Sequence, residues 1–167
     1  WMPPIKELHY FDHLFVPDNR RWTSGHIRNG AAEAVRWHLS TQKPIEFAYL
    51  RYLSDIVIED PFTESWYRTL FSRPAARGKV LGDITPEYST IPPEGIDYVR
   101  RLLGSVKIIY IIRDPLGRAL SQLRMNLQRT NYNPASEAEW LNAALAPEIF
   151  NRGDYRAYIP NWLDRFS

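Results

Sequence analysis

The run Val106-Lys107-Ile108-Ile109-Tyr110-Ile111-Ile112, followed at once by Arg113-Asp114-Pro115, decides the fold reading of this sequence. β-Branched residues dominate it and both alternating faces are apolar, as expected of a central parallel strand. Asp114 is a natural N-cap and Pro115 a natural first helical residue, so the spacing predicts a helix from there. Leu116, Ala119, Leu120, Leu123 and Leu127 then fall on one face, and the pattern fades near Thr130.

Working outward, Pro92-Pro93 opens a helix carrying Ile96, Val99, Leu102 and Leu103, closed by Gly104. Residues 79–85 read as a short strand that Thr85-Pro86 ends, and residues 5–11 alternate enough for another. Residues 13–29 mix aromatics, arginines and turn formers and read as a surface loop. Helical periodicity covers residues 30–40, 45–58, 137–145 and 155–166, and Thr63 is placed to cap a short helix containing Trp66, Tyr67 and Leu70. The alternation of strand and helix predicts an α/β fold of three layers, with a central parallel sheet flanked by helices.

The chain has 167 residues, about one domain. Its 44% hydrophobic and 24% charged residues exclude disordered, collagen-like and low-complexity classes. No apolar run approaches the ~20 residues of a membrane span. The sequence contains no cysteine, which excludes disulfides and thiolate metal sites. A net charge of +2, from 21 basic against 19 acidic residues, gives no chain-wide footprint for nucleic acid. The chain opens on Trp1, with no basic start and apolar run of a signal peptide.

A strand feeding a helix N-terminus is where α/β folds bind anions. Arg113 sits at that junction with a fork suited to phosphate, and Ser121 lies two turns into the helix. The alternative is that Asp114 caps the helix and Arg113 pairs with a carboxylate. Glu7 and His9 share one face of the first predicted strand, and Asp12 needs a bend to join them. They form either an acid–base cluster or a solvated strand with a half-buried imidazole. Lys6, Arg21, Trp22 and Arg28 are candidate acceptor contacts through charge and stacking, set against a solvated basic loop. His13, His26 and His38 lack zinc-ligand spacing, so no metal site is expected.

Residues 108–115 followed by Arg118-Ala119-Leu120-Ser121 resemble the 3′-phosphate-binding motif of sulfotransferases that use 3′-phosphoadenosine 5′-phosphosulfate (PAPS). Lys6-Glu7-Leu8-His9-Tyr10-Phe11-Asp12 is similar to a segment of heparan sulfate 3-O-sulfotransferases and their bacterial relatives. Gly82-Asp83-Ile84-Thr85-Pro86-Glu87-Tyr88 resembles the family's Thr-Pro-x-Tyr turn, with Ile84 where heparan-type enzymes often carry Lys. Arg152-Gly153-Asp154-Tyr155 with Trp162 and Phe166 looks like a later helix of the family.

The resemblance implies a P-loop-NTPase-like fold and transfer of a sulfuryl group from PAPS, releasing PAP, to a hydroxyl or amine of a glycan or small molecule. It implies Arg113 and Ser121 as the 3′-phosphate site, Glu7 as base, and His9 and Asp12 as its supports, with no metal. The family's 5′-phosphosulfate loop and its nucleotide-closing loop have no counterpart between Trp1 and Ser167, so residues 1–167 are expected to be one partial sulfotransferase-like domain. The other expectations are a non-catalytic nucleotide-binding or interaction domain, or a P-loop kinase relative. A bacterial cytoplasmic location is expected, or the Golgi lumen if an N-terminal anchor has been removed.

Overall fold

Thr23, Thr63, Asp114 and Ser136 each put a side-chain oxygen where the first amides of a helix lack partners. Thr23 Oγ1 accepts from Gly25 N at 3.3 Å, Thr63 Oγ1 from Trp66 N at 3.2 Å, Asp114 Oδ2 from Gly117 N at 2.5 Å and Ser136 Oγ from Glu139 N at 3.3 Å. The helices they start organise a computed structural model that describes residues 1–21, 23–41 and 44–166. Helix accounts for 64% of it, and the described residues form no strand or sheet. The chain divides into two compact units, Trp1–Tyr88 and Ser89–Ser167.

In the first unit, α1 (Tyr10–Phe15), α2 (Ser24–Ser40), α3 (Phe47–Ile58) and α4 (Glu64–Thr69) surround an aromatic core. Ile27, Ala31, Ala34 and His38 recur at helical spacing and form the buried stripe of α2, which packs on α3. Trp66 is fully buried and its indole Nε1 donates to Ile56 O at 3.1 Å, joining α4 to α3. The Tyr52 hydroxyl donates to Leu70 O at 2.5 Å, so both aromatics bury large surfaces without orphaning their polar atoms.

In the second unit, α5 (Pro93–Leu103) ends where Gly104 takes a left-handed φ of 69°. It packs on α9 (Tyr155–Leu163), and Arg165 Nε, just beyond α9, meets Asp97 Oδ1 at 2.6 Å. The helix predicted from Asp114-Pro115 is α6 (Pro115–Thr130), with α7 (Glu137–Ala144) and α8 (Pro147–Phe150) against it. Leu123 is its buried position, whereas Leu116 and Leu120, expected on the same face, are exposed.

The predicted α/β fold is therefore corrected. A P-loop-like architecture with a central parallel sheet does not describe this helical structure. The segment 106–112 contains no strand; Ile109 is 87% and Ile111 81% exposed. β-Branched residues report how well a chain fits a pleated, buried surface, and a strand exists only once a neighbour supplies the ladder. Segment 79–85 is likewise irregular, tied at its start by Trp1 N to Val80 O (2.5 Å) and Gly82 N to Trp1 O (3.0 Å). Segment 5–11 bends at two left-handed residues and turns into α1. Residues 13–29, read as a loop, instead carry a 3-10 turn at Pro17–Arg21 and the first turns of α2. No described helix is long and apolar enough to cross a membrane.

Candidate functional site

The segment before α1 carries two left-handed residues. Glu7 and His9 have φ of 57° and 53°, left-handed values that cost a side-chain-bearing residue about 1–3 kcal/mol each. Surrounding contacts impose them. Leu8 between the two is buried and its amide donates to Thr85 Oγ1 at 3.0 Å. Tyr10 N donates to the Tyr88 hydroxyl at 3.1 Å. His26 reaches from α2 and its Nε2 donates to the carbonyls of Glu7 (2.9 Å) and Lys6 (3.2 Å). Gly30 of α2 allows the close approach, because a Cβ there would lie 2.8 Å from Ile5 Cγ2.

The bend at His9 brings together the three residues that sequence spacing grouped. His9 and Asp12 are both fully buried, and Nδ1 of His9 lies 2.9 Å from Asp12 Oδ2. A carboxylate accepts, so Nδ1 carries the hydrogen and Nε2 is turned toward Glu7, whose Oε2 is 3.8 Å away. Glu7 keeps 31% of its side chain exposed, giving this buried line one end in solvent. The line Asp12–His9–Glu7 groups acid–base side chains: the inner carboxylate fixes the imidazole tautomer, and the imidazole Nε2 faces the outer carboxylate at 3.8 Å.

Behind it lies a second polar cluster. The Asp83 carboxylate accepts from Tyr88 OH at 2.8 Å, Thr85 Oγ1 at 2.9 Å and Tyr67 OH at 3.2 Å. Burial pushes the Asp83 carboxyl up to about 6, against the lowering effect of those hydrogen bonds, and the nearby Asp12 charge adds to the rise. Burial first, and then the Asp83 charge, push the Tyr67 and Tyr88 hydroxyls well up. Because Thr85 and Tyr88 also hold Leu8 and Tyr10, this cluster is the scaffold that keeps Glu7 and His9 in their left-handed conformations. Glu87, buried on the same short turn, brings a carboxylate oxygen to within 4.8 Å of ligating atoms of both Glu7 and His9.

Asp83, Glu87, Tyr88 and His26 escape a sequence reading of the site, since contact with Glu7 and His9 comes only from the fold. Asp83, Glu87 and Tyr88 fall in the segment around the Thr85-Pro86 stop, which marks a turn but not a site, and His26 falls in the stretch read as a surface loop.

The other candidates lie elsewhere. Arg113 and Ser121 are exposed in the second unit, before and within α6. Arg113 N donates to the Tyr155 hydroxyl and its Nη2 to Gly117 O, both at 3.4 Å. Arg118 donates through Nη2 to the Ile149 carbonyl, and burial, with the charges of Arg152 and Arg113, lowers its pKa. The charges of Arg113 and Arg152 thus reach Arg118 near the start of α6. Lys6, Arg21 and Arg28 are exposed in the first unit, and Trp22 lies outside the described residues.

Comparison with protein-family models, with curated proteins and with solved structures finds no match for this chain.

Proposed function

We propose that the chain transfers a sulfuryl group from PAPS to a hydroxyl or amine of a small-molecule or carbohydrate acceptor, with Glu7 as the base. The observation that carries this reading is the Asp12–His9–Glu7 line, with separations of 2.9 and 3.8 Å and only its outer end exposed. The resemblance of residues 6–12 and 108–121 to sulfotransferase segments supplies the reaction class.

In this mechanism the acceptor oxygen attacks sulfur in line while Glu7 takes its proton. The new O–S bond forms as the bond from sulfur to the 5′-phosphate oxygen breaks, and PAP leaves with that electron pair. Positioning and electrostatics carry such a step, much as in phosphoryl transfer. Asp12 and His9 act through Glu7 as positioning residues. Arg113 and Ser121 hold the donor's 3′-phosphate by charge and hydrogen bonding.

The test is PAP release from PAPS with an acceptor panel, paired with calorimetric titration of 3′,5′-ADP. Glu7→Gln should lower turnover by about 10²–10⁴-fold with nucleotide affinity retained. Arg113→Ala should weaken 3′,5′-ADP binding by about tenfold or more, the 1.5–3 kcal/mol of a charged hydrogen bond. Unchanged turnover in the first variant removes Glu7 as base, and unchanged affinity in the second removes Arg113 from the donor site.

A further inference from the structure

The first unit gathers donor atoms from two distant stretches of chain at one point. Glu7 and His9 come from the segment before α1, and Glu87 from the turn at Pro86–Thr90. One ligating atom from each lies within 4.8 Å of the other two. We infer that Glu7, His9 and Glu87 form a binding site for a divalent transition-metal ion of the zinc class.

The donor set suits such an ion. One imidazole nitrogen and two carboxylate oxygens are ligands for borderline divalent cations. At metal–ligand distances of about 2.0–2.2 Å, two donors of a tetrahedral ion lie roughly 3.4 Å apart. The three atoms all lie within 4.8 Å of one another and the His9–Glu7 pair at 3.8 Å, so reaching that spacing takes small side-chain rotations, with Glu7 the least buried of the three. Three protein ligands leave an open position for water or a substrate oxygen.

The surroundings also match what a metal-bound histidine needs. Asp12 lies outside the triad and holds the His9 ring from its far side at 2.9 Å, which fixes the tautomer and turns Nε2 toward Glu7. A carboxylate behind a ligating imidazole raises its basicity and sets its orientation. Burial of His9 and Glu87 shields two of the three ligands from water, so the donor pair is held before any ion arrives.

The site shares Glu7 and His9 with the proposed sulfuryl-transfer site, and an ion held there would take up the Glu7 carboxylate that otherwise serves as base, but its test needs neither donor nor acceptor. The 167-residue chain is stripped with chelator and titrated with ZnCl2 by calorimetry, then with CoCl2 while its visible ligand-field bands are followed. One ion per chain is expected, with the intense bands of a low-coordinate cobalt site. Glu87→Gln and Glu7→Gln should each weaken binding tenfold or more, and Asp12→Asn by about 10–100-fold with stoichiometry retained. His13→Gln should bind as the parent does. Absence of binding, or affinity unchanged in both Glu87→Gln and Glu7→Gln, overturns the inference. Glu7 is the safeguard against misfolding, since it is the least buried of the three ligands. Failure here leaves the turnover of Glu7→Gln to judge the sulfotransferase reading separately.

Discussion

Residues 5–11 and 106–112 look alike on paper, since both read as strands, yet they meet opposite ends in the structure. In the first, Leu8 is 1% exposed and the backbone on either side is gripped by Thr85, Tyr88 and His26. In the second, Ile109 is 87% exposed, and the ties beside it are the Tyr110 hydroxyl to Ser89 O at 3.3 Å and Arg113 N to Tyr155. The segment richer in β-branched residues is the less enclosed of the two. Intrinsic preference is worth less than what the rest of the chain brings to the segment.

The sharpest way to break this contrast is to truncate both segments. Leu8→Ala should lose about 2–5 kcal/mol of unfolding free energy, because it opens a cavity in a packed core. Ile109→Ala should change stability by no more than about 0.5 kcal/mol. Urea unfolding measures both. Comparable losses would mean that residues 106–112 are buried, and the contrast would collapse.

A second measurement probes the scaffold under residues 5–11. The Asp83 pKa rises in the folded state from 3.8 to about 6, so the native protein holds this proton more tightly than the unfolded chain. The stabilisation it confers is complete below pH 3.8 and is lost as pH rises through about 6. At 1.36 kcal/mol per unit, the change is about 3 kcal/mol. Subtracting the stability-against-pH curve of Asp83→Asn from that of the parent isolates this contribution from other carboxylates. A flat difference between pH 4 and 6 would show that Asp83 titrates normally.

A modest effect is expected next to the exposed segment. Asp114→Ala should cost about 1 kcal/mol through loss of the cap on Gly117 N. A loss well above 2 kcal/mol would show that Asp114 anchors the 106–112 junction as well as the helix. Thermal unfolding followed by circular dichroism is sufficient to read it.

Local signals in the sequence were reliable where the physics is local. Thr63, Pro93, Gly104 and Asp114-Pro115 mark helix ends because capping and proline geometry involve only nearby residues, and all four sit where they were expected. The expected sheet fails because the strand-like patterns at 79–85 and 106–112 carry no information about a partner strand. The grouping of Glu7, His9 and Asp12 is legible, including the bend that Asp12 requires, since these residues lie within five positions of each other. Their geometry is not: two left-handed residues, rather than a shared strand face, bring the side chains together. Asp83 and Glu87 lie some 75 residues away, and no periodicity announces such a meeting.

The left-handed backbone at Glu7 and His9 has an evolutionary consequence. Glycine at either position would relax the conformation, while the side chain that forms the site would vanish. Selection for thermal endurance alone should therefore let glycine drift into positions 7 and 9 early, whereas selection for activity should hold them. Sequencing two such evolving populations would reveal whether this strained corner is kept for what it does or merely tolerated.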